Sequence, residues 1–195
     1  MLRVPVLGKN VPSRGNAFSR AVGRVGMGLL RFRFEGSIPD VPRCVMIVAP
    51  HTSNWDFVVG LSAKLALGLR ARFIAKHTLF RGPFGSCLRW LGGIPVDRRA
   101  PGGVVESAVE AMRGAERLYL VITPEGTRGK VAAWKAGFYR IAHGAGVPIL
   151  PIAFDYRRRA VAFEALFQPS GDYEADLPAL QAGFDAGMAY RPESY

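Results

Sequence analysis

Cys44-Val45-Met46-Ile47-Val48-Ala49-Pro50-His51-Thr52-Ser53-Asn54-Trp55-Asp56 is the stretch on which the reading of this 195-residue chain turns. Residues 44–49 are a short, fully apolar run rich in valine and isoleucine, the pattern of a strand buried on both faces. Pro50 cannot donate to a sheet ladder and ends the run. Thr52 or Ser53 offers a capping oxygen, which predicts a helix over about residues 54–69. Between Phe57 and Leu69 only Lys64 is charged. Such a helix is either deeply buried or touches lipid or an acyl chain.

The same alternation continues outward. Residues 72–76 read as a strand, 84–91 as a short helix, and 94–97 as a strand after the Gly92-Gly93 turn. A helix over 104–113 and a buried strand over 118–122 follow, then a helix over 134–144 stopped near Gly144 and Gly146. Residues 149–154 and 161–167 read as strands joined by the Arg157-Arg158-Arg159 turn, and 177–188 as a last helix. Alternating strands and helices predict an α/β class: a single domain with a mostly parallel central sheet flanked by helices. No internal repeat or low-complexity linker divides the chain.

Composition bounds the function. Apolar residues make up 49% of the chain, which excludes a largely disordered protein. Cys44 and Cys87 sit in apolar surroundings, are expected as small core side chains, and fit a reducing compartment. The net charge of +11 is uneven. Residues 1–35 hold seven Lys/Arg against Glu35, whereas 164–195 hold six acids against Arg191. A basic front half argues for anionic partners such as phosphates, nucleic acid or a lipid surface.

Residues 1–15 read as a loose basic lead-in. From Asn16 to about Phe34, Phe18, Val22, Val25 and Leu29 recur at helical spacing, with Arg20, Arg24 and Arg31 on another face. The expectation is an N-terminal amphipathic helix, weakened by Gly23, Gly26 and Gly28. Two readings stay open: a helix packed on its own domain, or one lying among lipid headgroups. No run of about 18 apolar residues predicts a spanning helix, and Pro5, Lys9, Pro12 and Arg14 interrupt any signal-peptide pattern.

Two motifs carry chemistry. His51 is a base that works near neutral pH, and a carboxylate such as Asp56 can hold its tautomer and stabilise the imidazolium. On one regular helix the two would lie about 140° apart. They meet only if His51 stands in the strand-to-helix turn and Asp56 in the first helical turns. The second motif, Thr123-Pro124-Glu125-Gly126-Thr127-Arg128, follows another apolar strand. Ligands gather at the carboxyl ends of strands in such sheets. The pair suggests a site that takes a proton from a hydroxyl and holds an anionic substrate beside it. There is no G-x-S-x-G elbow, no H-E-x-x-H, and no metal-ligand spacing among His51, His77 and His143. Residues 126–130 fall short of a phosphate loop, because Val131 stands where Ser or Thr is needed.

On four stretches the chain resembles the glycerolipid acyltransferases typified by lysophosphatidic acid acyltransferase. His51-x4-Asp56 looks like the family's first block, and Gly93-Ile94-Pro95-Val96-Asp97-Arg98 like the second. Pro124-Glu125-Gly126-Thr127-Arg128 looks like the third, and Val147-Pro148-Ile149-Leu150-Pro151 like the fourth. Lys76, Leu79, Pro83 and Gly85, and later Lys135 and Gly137, also match the pattern. Pro50, Pro95 and Thr123 depart from it.

The resemblance implies transfer of a fatty acyl group from a thioester, acyl-CoA or acyl carrier protein, to the hydroxyl of a lysophospholipid-like acceptor such as 1-acylglycerol-3-phosphate. His51 would be the general base and Asp56 its orienting partner. Lys76, Arg98, Glu125, Gly126, Thr127 and Arg128 would bind substrate, with Arg98 and Arg128 clamping a phosphate. Glu125 either meets acceptor hydroxyls or braces its loop. No metal or resident cofactor is expected, the thioester being a co-substrate. Residues 1–35 become a membrane-surface segment and 36–195 the acyltransferase domain, peripheral on the cytoplasmic side of an anionic membrane. Other lipid acceptors, thioester hydrolysis, and a non-catalytic membrane- or nucleic-acid-binding module are the alternatives. No nucleic-acid motif accompanies the basic charge.

Overall fold

Side chains of the central strand alternate between two packed layers, as a pleated strand requires. Cys44, Met46 and Val48 face one layer and Val45, Ile47 and Ala49 the other. That strand is β2 (Arg43–Ala49), and all of its residues from Cys44 onward are buried. The computed structural model describes residues 2–96 and 103–195.

Six further strands join β2: β1 (Arg33–Glu35), β3 (Ala71–Lys76), β4 (Gly93–Val96), β5 (Leu118–Ile122), β6 (Ile149–Asp155) and β7 (Ala160–Phe163). Their order is β1-β7-β6-β2-β5-β3-β4. Neighbours run parallel, apart from the antiparallel β6–β7 pair. The helices are α1 (Ala17–Leu29), α2 (Trp55–Leu67), α3 (Gly82–Trp90), α4 (Gly103–Gly114), α5 (Gly137–Ala145) and α6 (Tyr173–Gln181). One layer packs Met27 of α1 and Val59, Ala63 and Leu67 of α2 on the sheet. The other packs Met112 of α4, Phe138 and Ile141 of α5 and Leu180 of α6. Burying each large apolar side chain contributes about 1.5–3 kcal/mol. The mostly parallel α/β sandwich is the expected class.

Several local expectations are corrected. The first helix stops at Leu29, because Arg31 takes a left-handed φ of +59°. Arg33 then enters β1 opposite Ala160, so residues 33–35 are strand and not helix. The lead-in is not loose. Ser13 bridges Leu69, Arg14 N–H donates to Gly68 O, Arg70 N–H donates to Pro12 O, and Val11 is buried. The helix expected over 134–144 begins at Gly137, and β7 ends at Phe163, leaving only an isolated bridge from Phe167 to Ile149. The last helix starts earlier than 177, because the Asp172 carboxylate caps it by accepting from Glu174 and Ala175 N–H. It ends at Gln181, with a separate 3-10 turn at Ala186–Met188. Cys44 is buried but Cys87 is exposed on α3, so it is not a core side chain. Among the described residues no helix is long and apolar enough to cross a membrane.

The α1–α2 contact depends on missing side chains, Gly26 facing Ser62 and Gly23 lying closest of all. Asn16 and Ser19 form a capping box that starts α1, and Gly23 then lies against the backbone of Leu65 and Ala66. A methyl group has no room there, whereas Gly28 on the same helix faces open space. Gly23→Ala is therefore expected to lower stability by about 1–3 kcal/mol, and Gly28→Ala to raise it by up to about 1 kcal/mol. Urea melts of both variants check this; equal effects of the same sign would refute the close-packing account.

Candidate active site

β5, β2 and β6 are adjacent and parallel, so their carboxyl ends open on one edge of the sheet. His51 follows β2, Glu125 follows β5, and Tyr156 follows β6. His51 and Tyr156 both meet Asp56, and Glu125 meets the backbone of His51. His51 stands before the helix, and Asp56 is the second residue of α2. The bend between them puts His51 Nδ1 3.1 Å from Asp56 Oδ2.

Of the two hydroxyls expected to cap α2, Ser53 Oγ meets the N–H of its first residue, while Thr52 Oγ1 turns to the C-terminal segment. Asn54 at the N-cap makes no side-chain capping bond. Instead Asp56 Oδ2 accepts from the N–H groups of Thr52 and Ser53, both at 2.8 Å. Ser53 Oγ accepts from Trp55 N–H, and Thr52 Oγ1 accepts from Arg191 N–H of the C-terminal segment. Asp56 Oδ1 accepts from the Tyr156 hydroxyl at 2.8 Å. The carboxylate is 2% exposed and lies at a helix N-terminus, where the peptide dipoles favour negative charge. An acceptor-only carboxylate beside Nδ1 places the imidazole proton on that nitrogen. Nε2 is then the atom that can accept a proton.

Glu125 is placed from the other side. Its Oε1 accepts from the His51 N–H at 3.0 Å, so it braces the turn that carries the histidine. It is 4% exposed, and Oε2 has no hydrogen-bond partner among the described residues. Burial pushes its pKa up, against the lowering pull of the His51 N–H. Gly126 turns the chain with a φ of +68°, its N–H donating to Thr123 O. Only glycine adopts that conformation freely. Thr127 and Arg128 follow on the exposed rim, where Thr127 Oγ1 accepts from Gly129 N–H. Lys135 N–H ties the loop back to Pro124 O.

His51, Asp56 and Glu125 are thus hydrogen-bonded or in contact, with Gly126, Thr127 and Arg128 continuing from Glu125 toward solvent. Lys76 ends β3, two strands from β2. Arg98 lies outside the described residues. Tyr156 belongs to no motif in the sequence. Its only signal there is its position immediately after a buried strand, and it becomes meaningful once β6 is known to lie beside β2.

The apolar residues of α2 divide. Val59, Ala63, Ala66 and Leu67 are buried, while Trp55, Phe57 and Val58 stand exposed near the histidine turn. On α1, Phe18 and Leu29 are 77% and 81% exposed, with Val22 and Val25 between them.

A family model described as Acyltransferase matches residues 31–155. A 1-acyl-sn-glycerol-3-phosphate acyltransferase of Pseudomonas aeruginosa is 33% identical over 135 aligned residues, covering 64% of this chain and 49% of that protein. The chloroplastic 1-acyl-sn-glycerol-3-phosphate acyltransferase BAT2 of Brassica napus is 31% identical over 110 residues, covering 52% of this chain and 31% of that protein. The chain spans half or less of the length of these curated relatives. The crystal structure of the 1-acyl-sn-glycerophosphate acyltransferase PlsC from Thermotoga maritima shares the fold, with a TM-score of 0.62 at 22% identity. That match covers 85% of this chain and 76% of the other.

The burial of Glu125 has a consequence for stability. Its pKa is raised in the folded state, so the unfolded chain loses this proton first as pH rises. The contribution of Glu125 to stability is neutral at low pH, falls as pH climbs through the ordinary carboxylate range, and levels off above the folded value. In Glu125→Gln the amide oxygen can still accept from His51 N–H and nothing ionises. The melting temperature of the variant relative to wild type is therefore expected to increase from about pH 4 toward neutrality. A difference that is flat or falls with pH would contradict the burial account.

Proposed function

The chain belongs to the acyltransferase family, and on that premise we propose that it moves a fatty acyl group from an acyl thioester to the hydroxyl of a lysophospholipid. The contact that carries this reading is His51 Nδ1 on the buried Asp56 carboxylate at the tip of the central strand. His51 Nε2 takes the proton of the acceptor hydroxyl as its oxygen attacks the thioester carbonyl. The tetrahedral adduct collapses with loss of the thiolate, which takes that proton from the imidazolium. No acyl-enzyme forms. Base catalysis of this kind supplies about 10²–10⁴-fold, and positioning of the two substrates supplies more.

The acceptor proposed is 1-acylglycerol-3-phosphate, in keeping with the names of the relatives. Its phosphate would be held by Arg128 on the rim and by Arg98, since the guanidinium fork matches phosphate oxygens in pairs. Lys76 would add a point charge. The donor is acyl-CoA or acyl carrier protein, with the exposed Trp55, Phe57 and Val58 offering apolar contact to the acyl chain. The exposed stripe Phe18, Val22, Val25 and Leu29, flanked by Arg20 and Arg24, fits a helix resting in an anionic headgroup layer on the cytoplasmic face.

Two measurements test this. With labelled acyl-CoA and 1-acylglycerol-3-phosphate, His51→Ala is expected to lose at least about 10²-fold in kcat while melting within a few degrees of wild type. In the same assay Arg128→Ala raises the acceptor KM with little change in kcat. Retained turnover without the histidine would end the mechanism, and an unchanged KM would end the clamp. Separately, Phe18→Asp with Leu29→Asp should abolish co-sedimentation with phosphatidylglycerol vesicles and leave the secondary structure intact. Undiminished binding would place the membrane contact elsewhere.

A further inference from the structure

Asp56 has two oxygens, and they are met differently. Oδ2 serves the histidine side, facing His51 Nδ1 and the Thr52 and Ser53 N–H groups. Oδ1 is turned away from them and takes the hydroxyl of Tyr156. We infer that Tyr156 is the positioning residue that fixes the plane of the Asp56 carboxylate and, through it, the tautomer and orientation of the His51 ring.

The tyrosine is itself held from three sides. Its backbone N–H donates to Met188 O at 2.9 Å. Its ring meets Phe32 edge-on at 5.1 Å between centroids, and Tyr190 also at 5.1 Å. The hydroxyl therefore arrives at Oδ1 on a braced ring that directly follows a strand paired with β2. A carboxylate anchored at one oxygen only can rotate about its last side-chain bond, and Oδ2 would then leave the imidazole plane. Anchoring both oxygens removes that freedom before substrate arrives. Burial, and then the Asp56 charge, pushes the Tyr156 phenol above its ordinary range. The group stays a donor at any pH at which the protein works.

Tyr156→Phe removes the hydroxyl and keeps the ring that packs on Phe32 and Tyr190. In the 195-residue chain labelled with ¹⁵N-histidine, long-range ¹H–¹⁵N spectra report the proton position on the His51 ring, assigned by its loss in His51→Gln. Wild type is expected to show the Nδ1–H form. Tyr156→Phe should transfer a measurable fraction to the Nε2–H form, and the same change in an Asp56→Asn background should add nothing. Kinetically, kcat should drop about tenfold, equivalent to ~1.4 kcal/mol, with the acceptor KM within about twofold. That kinetic half rests on the acyl-transfer reading, whereas the spectra do not. A chain that shifts tautomer but transfers no acyl group would sink the proposed function and keep this inference. An unaltered His51 signal in Tyr156→Phe, or an equal additional change without Asp56, would overturn it.

Discussion

A carboxylate taken out of water costs several kcal/mol unless donors meet its charge. Asp56 is almost wholly buried and is met by two backbone N–H groups, a phenol and an imidazole. Those donors come from the β2–α2 turn and from the tip of β6, so the carboxylate is satisfied only when the sheet is assembled. The helix start supplies a favourable field, and α2 in turn carries the close glycine contact with α1. The bend at residues 50–54, the direction of α2 and the seat of α1 are linked through this one group.

The carboxylates of the site have divergent duties. Asp56 faces the imidazole and is fully engaged, whereas Glu125 holds the backbone of the same histidine and keeps one oxygen without a partner among the described residues. One fixes the ring and the other fixes the segment from which the ring extends. Arg128, the residue proposed to meet an anionic substrate, comes later in the same loop as Glu125, where solvent reaches it. The turn after β2 and the loop after β5 are thus tied together by the His51 N–H to Glu125 Oε1 bond, with the buried carboxylates doing the orientation.

What the sequence discloses is what local chemistry decides. An apolar run six residues long, ended by Pro50, identifies β2, and the same break explains how His51 can bend toward Asp56. The end of α1 is different. Arginine carries no sign that Arg31 will take a left-handed φ, and β1 exists only because a strand more than a hundred residues away lies beside it. Tyr156 is illegible for the same reason: its partner is defined by the β2–β6 register, which no local pattern reports. The start of α6 was legible in principle, since Asp172 precedes it with a free carboxylate for capping. Cys87 is exposed despite its apolar neighbours in sequence, because such neighbours do not face one way on a short helix.

The pairing of Arg33 with Ala160 sets a clock on biosynthesis. At translation rates of about 5–20 residues per second, β1 waits roughly 6–25 s for the strand that will accept its backbone bonds. A strand is thus made well before it can lock. Until then its peptide groups are met by water, by a chaperone or by whatever surface the nascent chain encounters.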